Sequence, residues 1–188
     1  MVEQHGTLSI RELGRPGDVG WVVMANGEVY AEEFGWDTSF EVFCAPIVAD
    51  CAARAGTPGN AAWIAELDGA RAGCVFVVRG EEPAVAKLRM LLVHPRARGR
   101  GLGSRLVRTA VQFAEAAGYE RVQLWTNHPL AAARHVYLTH GFSLVEEKPH
   151  HSFGVDLIGQ TYELDLRARD RDRPSSARRR GQPVDTSR

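Results

Sequence analysis

The sequence predicts a mixed α/β (α+β) fold, and three observations carry that prediction. An apolar run ends at His94-Pro95 and passes through a basic, glycine-rich turn directly into an amphipathic helix. Two strand-like runs meet across Asp68-Gly69, a strong hairpin signal. A second strand–helix unit follows the first and closes at Gly141-Phe142. An antiparallel meander and consecutive strand–helix units in one chain belong to the mixed class.

In chain order, Leu8 and Ile10 alternate with polar residues in TLSIREL, which predicts an edge strand. Arg15-Pro16-Gly17 breaks it, and Asp18 is expected to cap a short helix over Val19 to Met24. Asn26-Gly27 predicts a turn, with Val29 to Phe34 helical after it. A longer helix starts at Asp37 or Thr38, with Phe40, Phe43, Cys44, Ile47, Val48 and Cys51 on its apolar side, and ends at Gly56-Thr57-Pro58-Gly59. The meander is expected over Ala62 to Leu67, Gly73 to Val78 and Val85 to Val93. The next helix carries Leu102, Leu106, Ala110, Phe113, Ala114 and Ala117 on one face, and Gly118 stops it. Val122 to Thr126 is a strand, and Pro129 opens a helix with Ala132, Ala133, Val136, Tyr137 and His140 on one side. Ser143 to Glu147 and Thr161 to Leu166 form the last strands, with HHSFGVDLIGQ between them as an irregular stretch.

The chain of 188 residues balances 23 basic against 23 acidic residues, and 44% of it is hydrophobic, a globular composition. Residues 1–166 are expected to form one domain. Residues 167–188 hold eight arginines and three aspartates and almost no large apolar residues, so an Arg-rich disordered tail is expected there. The start MVEQHGTLSI lacks an apolar signal core, and no apolar run is long enough to span a bilayer, so the cytoplasm is the expected location, with no membrane partner. Cys44, Cys51 and Cys74 are odd in number and form no CxxC, and no set of residues has metal-ligand spacing. Nucleic-acid binding through the arginine tail lacks a recognition helix or an aromatic platform.

Function is concentrated in Leu88 to Gly103, LRMLLVHPRARGRGLG. The first N–H groups of a helix have no intrahelical partner and carry partial positive charge. Glycines let a ligand's oxygens approach them, so a strand–basic turn–helix unit is a seat for a phosphate or diphosphate. A Walker loop needs Gly-Lys-Ser/Thr, and Gly103 is followed by Ser104-Arg105. The dinucleotide fingerprint needs glycine where Ser104 stands, and Glu120, at the spacing of its ribose-binding acid, sits in a turn.

Arg98-x-x-Gly101-x-Gly103 between a strand and a helix resembles the acyl-CoA diphosphate loop of the GNAT superfamily of N-acyltransferases. AARHVYLTHGF resembles the same family's Tyr-x-x-x-Gly-Phe ending, in which the tyrosine faces the CoA sulfur. The resemblance covers residues 7–166 and is nearest to acyltransferase domains fused behind winged-helix regulators of the MarR type, with this chain expected to be a stand-alone version. It implies a central mixed sheet of about six to seven strands, helices on both faces and a splayed central strand pair. It also implies acetyl-CoA as cosubstrate, free CoA as product, and acetyl transfer to a primary amine by direct attack in a ternary complex. The alternative is an acyl-CoA-binding sensor without useful turnover.

By that resemblance Arg98, Gly99, Arg100, Gly101, Leu102, Gly103 and Ser104 would hold the diphosphate. Backbone of Leu91, Leu92 and Val93 would pair with the pantetheine arm, an N–H near Leu92 or Val93 serving as oxyanion donor. Tyr137 is the candidate acid for the leaving thiolate, or else a core tyrosine. Asn127 would hold the pantetheine, order Tyr137, or simply make a turn. Family members often carry a carboxylate near the central strand, where this chain has Lys87, Arg89 and His94. The base is therefore open among Glu32, Glu33, His94, His128, His150, His151 and a water relay. Glu32, Glu33, Trp36, His150 and His151, with Tyr30, Ser152 and Phe153 nearby, are expected on the acceptor side. A small-molecule amine is the leading partner and a protein amine the other, with the chain acting as a monomer or homodimer.

Overall fold

The structure, a computed structural model of the chain, describes residues 6–171. Alternating apolar residues and tight turns build most of it locally. β1 (Leu8–Glu12) leads through Gly17 into α1 (Asp18–Phe34) and α2 (Ser39–Arg54). β2 (Ala61–Leu67) and β3 (Ala70–Arg79) meet at Asp68-Gly69, both at positive φ (52° and 77°), as a two-residue hairpin turn requires. β4 (Val85–Val93) ends at His94, and a 3₁₀ turn (Pro95–Ala97) leads to α3 (Leu102–Ala116). β5 (Arg121–Asn127), α4 (Ala131–Thr139), β6 (Ser143–Ser152), β7 (Val155–Asp165) and α5 (Leu166–Arg171) complete the chain.

The seven strands form one sheet in the order β1-β2-β3-β4-β5-β7-β6. Only β4 and β5 are parallel, joined by the right kind of connection, a helical crossover through α3. One face packs Val75, Val77, Leu88, Val122 and Leu124 against Leu102, Leu106, Val107 and Ala110 of α3, with Tyr137 and Phe142 of the α4 region joining them. The other packs Ile64, Cys74, Phe76 and Leu92 against Val22, Ala25 and Val29 of α1 and Val48 and Cys51 of α2. Helices on both faces of a mixed sheet are the arrangement expected from the sequence.

Three expectations are corrected. Asn26-Gly27 is no turn, since α1 runs unbroken through it. The buried Asn26 amide donates to the Val22 carbonyl one helical turn back (2.7 Å), and Gly27 lies where a Cβ would meet the Glu41 side chain of α2 at 3.1 Å. Packing of α1 on α2 thus overrides the local turn preference. Asp18 does not cap the helix by its side chain. It is buried (1% exposed) and accepts from both terminal nitrogens of Arg11, from Arg71 and from the Gly14 and Arg15 amides, tying α1 to β1 and β3. HHSFGVDLIGQ is not irregular: β6 and β7 pair from Ser143↔Glu163 to Ser152↔Val155 and turn at Phe153-Gly154, both left-handed. Phe153 is held there by Trp36, Phe40 and Phe43, at ring distances of 5.0, 4.8 and 5.5 Å.

The first tail residues continue as α5 to Arg171, and the rest of the Arg-rich tail lies outside the described residues. None of the described helices is long and apolar enough to cross a membrane.

Candidate active site

The site is set by an irregularity in β4. Cys74 pairs with Leu92 and Phe76 with Arg89, so Met90 and Leu91 together oppose Val75. This is a β-bulge, and Met90 takes the strain of a left-handed backbone (φ 53°). The Cys74 thiol donates to the Met90 carbonyl (2.9 Å). Pairing of β4 with β5 runs only from Val85↔Arg121 to Leu88↔Leu124, while β7 holds the far edge of β5 out to Asn127↔Gly159. Past Leu88 the two central strands part. The His94 amide donates to the Ala72 carbonyl (2.9 Å). Strand alternation then aims the Val93 amide into the gap rather than at β3.

On one side of the gap lies a cleft of about 560 Å³, lined by Leu91, Leu92 and Val93, by Arg98, Gly99, Gly101, Leu102, Gly103 and Ser104, and by α1 and α4. Gly101 (φ 69°) starts α3 from a left-handed conformation. Among the described residues, the backbone N–H groups of residues 99–104 have no acceptor. That is a run of free donors at a helix N-terminus, the arrangement that binds anions. Ser104 shares a 2.8 Å hydrogen bond with His140. Burial, then the charges of Arg108 and Arg169, push the His140 imidazole below its ordinary value. Arg98 reaches across the cleft, pairing with Glu33 of α1 (2.6 Å) and donating to the Val93 carbonyl (3.2 Å). Arg100 is exposed and does not line the cleft.

On the other side lies a smaller cleft of about 90 Å³, lined by Trp36, Phe40, Phe43, Arg89, Met90, Trp125, Asn127 and Tyr137 among others. Trp125 lies so flat over Gly159 that a Cβ there would come within 2.8 Å of its indole nitrogen. Tyr30, Leu91, Leu130 and Ala133 line both clefts, so the two meet where β4 and β5 part. Tyr137 is 4% exposed and its hydroxyl has no hydrogen-bond partner among the described residues. Burial raises both its phenol and that of Tyr30 well above the ordinary range, so each is protonated at neutral pH.

The structure thus brings Leu91, Leu92, Val93, the loop from Arg98 to Ser104 save Arg100, Glu33, Trp36, Asn127 and Tyr137 around one junction. The Asn127 side chain is turned to His150 (2.9 Å), whose other ring nitrogen meets Ser152 (2.9 Å). Glu32, His94, His128, His150 and His151 line neither cleft. His151 pairs with Asp156 on the exposed hairpin (2.7 Å). The sequence pattern puts Phe43 on the apolar side of its helix and Trp125 within a strand, with no further role for either. Both line the smaller cleft, and neither the apolar face of α2 nor the alternation of β5 distinguishes a cleft-lining aromatic from a packed one.

A model of the Acetyltransferase (GNAT) family matches residues 15–142. An uncharacterised N-acetyltransferase of Schizosaccharomyces pombe is 31% identical over 144 residues, covering 76% of this chain and 87% of that protein. The N-acetylaspartate synthetase of Xenopus tropicalis is 34% identical over 94 residues, which span 50% of this chain and 35% of that protein. Among solved structures, an acetyltransferase of Salmonella typhimurium determined with its cofactor acetyl-CoA superposes with a TM-score of 0.68 at 19% identity, covering 85% of this chain and 94% of that one, a likeness of fold. With a family model spanning most of the chain and a relative of this identity matched over most of its length, the protein belongs to the GNAT acetyltransferase family.

Proposed function

We propose that the protein transfers an acetyl group from acetyl-CoA to a primary amine, by direct attack in a ternary complex. The observation that carries this reading is the meeting of two clefts at the parting of β4 and β5, one lined by unpaired helix-terminal amides and the other by aromatic side chains. The residues present suit the cosubstrate. Free N–H groups from Gly99 to Ser104 would bind its diphosphate, and the open edge of β4 would pair with its amide-bearing arm as an added strand does. Acetyl-CoA supplies an activated thioester.

The chain's own groups do the rest. The Val93 amide, aimed into the gap, offers a hydrogen bond to a carbonyl oxygen as negative charge grows on it. Tyr137, protonated and without a competing partner, gives its proton or a hydrogen bond to the departing sulfur. Arg98, fixed at the edge of the loop by Glu33 and the Val93 carbonyl, would add its positive charge to the diphosphate seat. Among the described residues no carboxylate or imidazole lines the smaller cleft, and Glu33 of the adjoining cleft is paired with Arg98, so the attacking amine sheds its proton to solvent. The test is release of free thiol from acetyl-CoA across a panel of primary amines, with the N-acetyl product identified by mass. Tight acetyl-CoA binding with no product from any amine would favour a sensor.

A further inference from the structure

The smaller cleft has an unusual charge balance. Its lining holds a single formally charged side chain, Arg89, set among aromatic rings. Arg89 sits between Leu88, the last residue of β4 paired with β5, and Met90, the left-handed residue of the bulge. Its side chain therefore emerges where the sheet opens, and the residue is half-buried. Nearby cations are all neutralised: Lys87 by Glu81 (2.8 Å), Arg98 by Glu33 (2.6 Å), and Arg121 by Glu82 and Glu163 (2.6 and 3.3 Å). Arg89 alone of this group has no ion pair or hydrogen bond with any described residue. A partly desolvated guanidinium gains most from a carboxylate, which it grips with two parallel hydrogen bonds.

We infer that the acceptor is an amino acid with an apolar or aromatic side chain, its carboxylate held by Arg89 and its amine directed at the junction. This rests on the acetyl-transfer reading and narrows its acceptor. The walls suit the rest of such a molecule, because Trp36, Phe43 and Trp125 offer ring faces and edges to an apolar side chain. The absence of any lining carboxylate argues in the same direction, since a polyamine would meet a cation here and no anion.

The experiment uses the full chain and matched acceptor pairs that differ only in the carboxylate: phenylalanine against phenethylamine, leucine against 3-methylbutylamine, with saturating acetyl-CoA and both thiol release and product mass as readouts. The amino acid is expected to win in kcat/KM by roughly 10- to 100-fold, the worth of one charge-assisted contact. In Arg89→Met that ratio should fall to about one, and Arg89→Lys should restore part of it. Acetyl-CoA affinity by calorimetry, unchanged in Arg89→Met, shows that the variant is folded. Turnover of the carboxylate-free amines equal to or better than that of their partners overturns the inference and leaves acetyl transfer to amines standing, as does a ratio that survives in Arg89→Met. No turnover of either member of any pair overturns the inference as well, and the wider amine panel then decides the acetyl-transfer reading separately.

Discussion

Tyr137→Phe separates catalysis from packing, because the structure makes the two roles predict opposite signatures. The ring is 4% exposed and lies 5.9 Å from Phe142 and 6.2 Å from Tyr162, contacts that phenylalanine keeps. The hydroxyl makes no hydrogen bond with a described residue, so the usual net loss of about 1 kcal/mol, or roughly 2–4 °C in Tm for a chain this size, should not appear. If the phenol serves the leaving sulfur, its contact strengthens only as the carbon–sulfur bond breaks. Losing it then lowers kcat on the order of 10²–10⁴-fold, about 2.7–5.4 kcal/mol in the barrier, with acetyl-CoA affinity nearly unchanged. Since burial holds the phenol protonated well above its ordinary range, wild type should show no loss of rate from deprotonation of this acid up to about pH 9. The assay is steady-state thiol release at saturating substrates beside differential scanning. A variant that keeps about half of wild-type kcat with an unchanged Tm refutes the assignment. Tyr30→Phe, on the facing wall of the junction, would then be the variant expected to fall.

Other consequences follow from particular contacts. Asp18 is held ionised, well below the usual carboxylate range, chiefly by the hydrogen bond from Arg11 and then by Arg71 and backbone amides. Its stabilisation is therefore present above the ordinary carboxylate value near pH ~4 and is lost as pH falls through the lower folded value. Asp18→Asn should cost about 3–5 kcal/mol at pH 7; chemical denaturation should show the gap to wild type closing below about pH 4, and a constant gap would contradict the ion-pair origin. At Gly103 an added Cβ would sit at ordinary contact from Val136 and Val93 (3.5 and 3.6 Å). Gly103→Ala should fold and bind CoA normally, whereas Gly103→Val, whose methyls must turn into the cleft, should bind on the order of tenfold more weakly by calorimetry. Unchanged affinity in a folded valine variant would remove this loop as the diphosphate seat. All three cysteines are buried, and burial lifts Cys44 and Cys74 to about 12 and Cys51 to about 11. The native protein should accordingly react slowly with thiol reagents at pH 8 and release its three thiols on unfolding; rapid labelling of the folded chain would show that the helix faces open.

What the sequence made legible was whatever depends on neighbours along the chain. The Asp68-Gly69 turn, the apolar face of α3, and the glycine loop after β4 all follow from local chemistry. The features missed depend on distant partners. Asn26 and Gly27 carry a turn preference, and only the Val22 carbonyl and the neighbouring α2 keep them helical. Phe153 is a poor residue for a left-handed turn, and the rings of Trp36, Phe40 and Phe43 hold it there. The Met90 bulge, which opens the sheet, has no glycine to announce it. The site divides likewise: the loop and Tyr137 stood in recognisable patterns, whereas the Arg98–Glu33 pair joins residues 65 positions apart, and Arg89 becomes notable only once its surroundings are known to leave it unpaired.

The central claim is that both substrates are present together where β4 and β5 part, and that the amine attacks the thioester directly. Initial velocities of thiol release, measured with acetyl-CoA and an accepted amine each varied at several fixed levels of the other, test it. Reciprocal plots that intersect, with no acetylated enzyme detectable by mass when the amine is left out, are the predicted result. Parallel lines together with an acetyl group retained on the protein would contradict it and require a nucleophile of the chain's own.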